Sequence, residues 1–190
     1  VGRAAGGRLV NAEQLPRHDA FTLRNLDRAW ATNETVTQLL AAFDFMERRF
    51  SRLPRLPVHD LSARHGGAIS DHRSHQSGRD VDLGYYQRGC GSACVYQRVV
   101  ASDLDVERQW ALMAYWLERD VVEYMFMDYD LQGAVYAHAR ERGASREELA
   151  RWFQYPRGRD AAGGIVRHAR NHADHLHVRF KCDDGDRECR

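Results

Sequence analysis

No apolar stretch in this 190-residue sequence approaches the ~20 residues that a membrane-spanning helix needs. A basic excess is missing as well. The formal charge is +1, and no run of basic residues marks a face for nucleic acid. Cysteines are scarce, four in all, and none forms the tight C-x2-C knuckle of a Cys-based zinc site. No internal repeat, low-complexity tract or linker divides the chain. It begins at Val1 rather than Met, as a chain does after loss of a leader or trimming. What these absences leave is one domain over residues 1–190, long enough to bury its own core.

The cysteines that are there sit in two local brackets, Cys90–Cys94 (CGSAC) and Cys182–Cys189 (CDDGDREC). Four cysteines allow three pairings. The spacings suit short disulfide-closed loops joining Cys90 to Cys94 and Cys182 to Cys189, which implies an oxidising compartment, periplasmic or extracellular.

Periodicity predicts four helices. The first covers about Glu34–Phe50, with Val36, Leu39, Leu40, Phe43, Met46 and Phe50 at helical spacing and Thr32 or Asn33 as N-cap. A second runs over about Asp103–Arg119 and a third over about Leu131–Arg142, ended by Gly143. A short fourth opens on the capping box Ser145-Arg146-Glu147-Glu148. Strands are expected at Asp80–Tyr86, Val121–Met127, Gly164–His168 and His175–Lys181, with a loop from Val58 to Ser74. Residues 1–30 lack periodicity and read as an extended N-terminal arm. The expected fold is therefore α+β: a single domain whose small central antiparallel sheet carries the functional site, flanked by about four helices and long loops.

Histidine is the composition's outlier. There are ten, and five of them (His72, His75, His172, His175 and His177) fall in two short windows. In SHQSGRDVD, a strand beginning at Asp80 projects Asp80 and Asp82 from one face, and Gly78 lets the chain fold back so that His75 approaches Asp82. In HLHVRF, alternation puts His175, His177 and Arg179 on one face, while Leu176, Val178 and Phe180 anchor the other. Imidazoles with a carboxylate suit Zn2+, and catalytic zinc takes three protein ligands and one open position. His75, Asp82 and one histidine of the pair complete that count, leaving the other for acid–base work. Asp80 then serves as an outer group that orients a ligand or binds an arginine. Taken singly, His18, His59, His65 and His138 read as structural histidines. His72 and His172 are either pocket-lining or exposed loop residues. Arg79, Arg170 and Arg179 lie near the site, each read first as solvated charge.

The segments SHQSGRDVDLGYY and NHADHLHVRFKC resemble the penicillin-insensitive murein endopeptidases, within the wider group of lysostaphin-type peptidases, D-Ala-D-Ala peptidases and the hedgehog domain. GGRLVN with Leu15-Pro16, and the two cysteines after HVRF, extend the resemblance over most of the chain; residues 100–160 match only in general character. The resemblance implies zinc held by His75, Asp82 and His177, catalytic help from His175, and further site histidines at His72 and His172. It leaves Asp174 as a second candidate base, although alternation turns Asp174 away from His175 and His177. The implied reaction is hydrolysis of a peptidoglycan cross-link such as D-Ala–diaminopimelate by a metal-activated water, with the oxyanion met by zinc and an imidazolium of His172 or His72. No Ser or Cys nucleophile is needed. The CGSAC insertion departs from the family pattern and bears on the substrate groove. Competing readings are a D-Ala-D-Ala carboxypeptidase, an L-Ala–D-Glu-type peptidase, and a zinc-binding recognition module without catalysis. A His–metal finger nuclease fits poorly, since its histidines belong on one compact unit.

Overall fold

In the computed structural model, which describes residues 1–190, secondary structure follows in this order. β1 is Glu13–Gln14, β2 Phe21–Leu23, β3 Trp30–Ala31, α1 Asn33–Arg49, β4 Leu56–Val58 and β5 Asp80–Gly84. Then come α2 Val106–Glu118, β6 Val122–Met127, α3 Tyr129–Glu141, α4 Arg146–Trp152, β7 Val166–His168 and β8 His175–Phe180.

Each helix begins where a side chain caps its free N–H groups. Thr32 accepts from the Thr35 amide, Asp105 from Arg108, and Asp128 from Asp130. Ser145 and Glu148 form the reciprocal capping box. Caps of this kind are each worth about 1 kcal/mol. Helix α1 buries Val36, Leu39, Phe43 and Met46, one stripe at three- and four-residue spacing. Gly143, at φ +95°, closes the chain over the end of α3, a conformation that side-chain-bearing residues resist.

Six strands form the main sheet in the order β2-β4-β5-β8-β6-β7. The centre is antiparallel: β5 pairs with β8, and β8 with β6. Both edges are parallel, β2 on β4 and β7 on β6. The α+β class is as expected, but the sheet is larger than the small antiparallel one read from sequence, and mixed. Val81, Leu83, Leu176, Val178 and Phe180 are buried in the core, where the Phe180 ring meets Trp116 of α2 edge-on at 5.5 Å.

Residues 1–30 do more than lie over this body. Phe21–Leu23 is a strand of the sheet, and Leu15, Ala20, Phe21 and Ala29 belong to the same hydrophobic cluster as β5 and β8. The loop expected from Val58 starts one residue later, because Val58 itself is the last residue of β4, paired with Leu23 and Leu83. Disulfides join Cys90 to Cys94 and Cys182 to Cys189, and no cysteine is free.

Candidate metal centre

The centre starts from a cross-strand pair. Asp82 on β5 lies opposite His177 on β8, Asp80 opposite Arg179, and Gly84 opposite His175. Asp82 Oδ1 is 2.9 Å from His177 Nδ1. His75 comes from the preceding loop with φ +65°, a backbone region costly for a side-chain-bearing residue. Its Nε2 lies 3.2 Å from His177 Nδ1 and 3.3 Å from Asp82 Oδ1. All three side chains are buried.

What surrounds these atoms fixes their lone pairs. His75 Nδ1 donates to the Leu61 carbonyl at 2.7 Å, and His177 Nε2 donates to Asp80 Oδ1 at 3.0 Å. In the neutral rings, the other nitrogens, His75 Nε2 and His177 Nδ1, are bare and converge on a carboxylate oxygen. Such an arrangement repels itself unless a cation, or a proton, stands among the donors. A proton on His177 can take that place. Burial opposes charge on His177, but hydrogen bonds and charge from Asp80 and Asp82 outweigh it and raise its pKa to about 9. Both carboxylates are themselves held far below the usual range; burial alone would raise them, and the hydrogen bond to His177 leads the opposing effects.

Asp80, fully buried, ties the halves together. Its Oδ2 accepts the His75 amide at 3.0 Å, while Oδ1 accepts His177 Nε2 and, at 2.7 Å, Arg179 Nε. Arg179 is therefore engaged in holding Asp80. Arg79, read from sequence as solvated charge near the site, is instead buried and points the other way, to Glu123 and the carbonyls of Phe180 and Arg190. Arg170 stays exposed beside Asn171.

The remaining histidines form the rim. His72 Nδ1 is 3.5 Å from Asp82 Oδ2, so His72, His75 and Asp82 also make a group able to share an ion. Asp60 holds His72 Nε2 at 2.9 Å, raising the His72 pKa, and Asp60 is itself ion-paired to Arg28. His175 Nε2 stands further out, 3.8 Å from Asp82 Oδ1. Asp174 lies just before β8 rather than on it, and its Oδ1 accepts His175 Nδ1 at 2.7 Å. Alternation had turned it away; ahead of the strand, alternation does not apply. His172 packs 4.6 Å from the His175 ring and donates Nδ1–H to the Arg170 carbonyl. Burial lowers its pKa to about 4, which favours the neutral ring; of the two imidazolium candidates the sequence offered, His72 is the one whose pKa is raised, by its hydrogen bond to Asp60.

Three neighbours were invisible in the sequence: Asp60 behind His72, and His59 and Tyr96 beside His175. The His59 ring, read as merely structural, stacks on Tyr96 at 3.4 Å, and Tyr96 stacks on His175 at 5.7 Å. The signal for Tyr96 was its place two residues beyond a cysteine-closed loop that follows the Asp82 strand.

Another grouping, His18 with Asp44 and Glu47, lacks the free lone pairs. His18 Nδ1 accepts the Ala20 amide, so Nε2 carries the proton that reaches Asp44.

A family model described as penicillin-insensitive murein endopeptidase matches residues 1–114. The chain belongs to this family of peptidases. No curated protein matches it. The match includes His72, His75, Asp80 and Asp82 but ends before β8. The juxtaposition of His175 and His177 with those residues therefore rests on the sheet.

Proposed function

We propose that this member of the murein endopeptidase family is a zinc enzyme, a single domain over residues 1–190 that cuts peptide cross-links such as D-Ala–diaminopimelate. The observation that carries the metal is the triangle of His75 Nε2, Asp82 Oδ1 and His177 Nδ1, with sides of 2.9, 3.2 and 3.3 Å. A tetrahedral site with bonds of about 2.0–2.1 Å has edges of about 3.3–3.4 Å, so the triangle fits one face of it. Two imidazoles and a carboxylate suit Zn2+, and both rings are anchored through their outer nitrogens. Held by His75, Asp82 and His177, zinc would supply Lewis-acid activation of a water and of the scissile carbonyl near neutral pH.

Other steps fall to the chain's own residues. Asp174 holds His175 Nδ1–H, which leaves Nε2 bare toward the Asp82 side. His175 takes a proton as water attacks and returns one to the leaving amine, with Asp174 fixing its tautomer as an orienting carboxylate does. His172, neutral, packs against His175 and narrows the mouth. Two disulfides and a wall substrate suit a periplasmic or secreted protein.

The closeness of His72 to Asp82 favours one competing reading, a closed site with four protein ligands and no catalysis. Against it stands the Asp174–His175 pair, which a closed site would not use.

The test is metal content measured alongside hydrolysis of purified peptidoglycan. His75→Ala is expected to lose both zinc and activity. His175→Ala is expected to keep zinc and lose about 10²–10⁴-fold in kcat. Mass spectrometry of released muropeptides names the bond and separates an endopeptidase from a carboxypeptidase or L-Ala–D-Glu-type peptidase. Stoichiometric zinc with no product from any wall would install the binding-module reading; absence of zinc would end the proposal.

A further inference from the structure

Tyr96 is held in a way that ordinary loop residues are not. Before it, the Cys90–Cys94 loop is tied to Arg55: the Arg55 amide donates to the Ser92 carbonyl at 3.0 Å, and the Cys94 amide to the Arg55 carbonyl at 2.9 Å. Both of its neighbours are gripped by buried Gln87, three residues beyond β5. Gln87 Nε2 donates to the Val95 carbonyl, and its Oε1 accepts Gln97 Nε2 at 3.0 Å. Further on, the Val99 amide donates to the carbonyl of Ala173, next to Asp174. The segment is thus pinned to both motif strands' ends.

The ring itself stacks on two histidines, His59 and His175. His59 is fixed in turn: its amide donates to the Asp82 carbonyl at 2.8 Å, and its Nδ1 accepts from Arg24 at 3.1 Å. With interplanar angles of 11° to His59 and 14° to His175, the Tyr96 ring lies nearly parallel to both. The phenol therefore has a defined position relative to His175 and Asp82.

Its hydroxyl is conspicuous by comparison with two nearby tyrosines. Tyr85 donates to the His172 carbonyl at 2.9 Å, and Tyr86 is sealed in the core. Tyr96 makes no hydrogen bond within the protein and remains open to solvent. It also lies within the fields of Asp82, Asp174 and Asp60, which stand in the centre of the site and behind two of its histidines. Burial first, then those charges, push its pKa above the ordinary value, so it is a hydrogen-bond donor throughout the working range. A donor with no partner in the protein, on a ring stacked against His175, is matched to an oxygen that arrives with the substrate.

Resting on the peptidase reading above, we propose that Tyr96 is a catalytic residue whose hydroxyl donates a hydrogen bond to the oxyanion formed from the scissile carbonyl. As the water oxygen bonds to the carbonyl carbon, the C=O π pair moves onto the carbonyl oxygen, and the Tyr96 O–H meets that charge without giving up its proton. When the C–N bond breaks, the pair returns to re-form the carbonyl, and the amine leaves with the proton carried by His175. The disulfide loop after β5 is in this view the mount of a catalytic group. It takes up a role that a protonated His172 would otherwise fill.

Tyr96→Phe keeps the ring stack and removes only the hydroxyl. Its zinc content and near-ultraviolet circular dichroism should match wild type, with kcat on a cross-linked muropeptide dimer down about 10²–10³-fold and KM changed by less than about threefold. Tyr96→Ala, which also opens the stack, should raise KM in addition. Independently of turnover, hydroxyl-radical footprinting of the chelator-treated protein should show Tyr96 protected by saturating dimer. Tyr96→Phe with wild-type kcat would overturn the proposal, as would a Tyr96 left unprotected at saturation. If wild-type protein cleaves no wall, the peptidase reading falls; footprinting then decides separately whether Tyr96 touches the peptide.

Discussion

The two halves of the metal centre are built by different means. Asp82 and His177 face each other across a regular antiparallel ladder, where alternation and pairing fix both side chains at no conformational cost. His75 rides on a loop with φ +65°, and its place depends on a hydrogen bond from its own amide to Asp80 and on the Leu61 carbonyl behind its ring. The ladder is a rigid platform and the loop a strained clasp. Strain of this kind persists where surrounding contacts over-determine it, and Asp80 supplies those contacts from the platform side.

The largest expected effect probes the platform. In the metal-free chain His177 has its pKa raised to about 9 by Asp80 and Asp82. That raised value stabilises the folded metal-free protein fully below about pH 6.5, the ordinary histidine value, and the contribution is lost as pH rises through about 9. Metal and proton compete for the same nitrogen, so the sign for zinc is the opposite. Apparent zinc affinity should rise about tenfold per pH unit from pH 6.5 until it levels near pH 9. Competition titrations with a chelator of known pH dependence would measure the slope. A flat profile would mean that His177 does not give up a proton to the metal.

Asp80→Asn cuts the tie between the halves. The amide can still accept one hydrogen bond, but Arg179 loses its carboxylate and His177 loses the charge that supports its proton. Outer partners of metal ligands typically carry 10–100-fold in affinity or activity, so a loss of about that size in zinc affinity is expected. The pH slope should shift to lower pH at the same time, because the His177 pKa falls. Equal affinity and an unmoved profile would show that the ladder alone orients His177.

The contrast also explains what could be seen in the sequence. Asp82, His177 and the core-facing Val81, Leu176 and Val178 follow a two-residue period that any reader can project onto a strand. Arg79, read as solvated charge near the site, is instead buried on the far side with Glu123, a pairing between distant segments that leaves no local spacing. The helices announced themselves through caps such as Ser145 with Glu148. By contrast, β2 and β4 are three residues each, one carries Pro57, and their parallel pairing joins segments 35 positions apart. No local period marks such a strand, and β-structure of this length is decided by its neighbours. Tyr96, His59 and Asp60 escaped for a related reason: they reach the site from loops, and stacking or ion pairing across loops leaves no spacing to find.

The smallest effect tests whether the clasp depends on its hinge. Gly78 has φ +75°, and a Cβ there would come within 2.7 Å of Leu9 Cδ1 and 3.0 Å of the Thr32 amide nitrogen. The first contact is a side-chain end that can shift; the second is backbone at the start of α1 and cannot move without disturbing the Thr32 cap. Gly78→Ala therefore combines a disfavoured backbone region with a tight backbone contact, for a stability loss of about 1–3 kcal/mol by chemical denaturation. Since Gly78 lies between His75 and Asp80, the strain should fall on the clasp and leave the ladder intact. Zinc affinity should then drop several-fold, while the strand pairing of Asp82 with His177, read from amide exchange of β5 and β8, keeps its protection. Loss of protection throughout both strands would make the clasp part of the platform, and the division between the two halves would not stand.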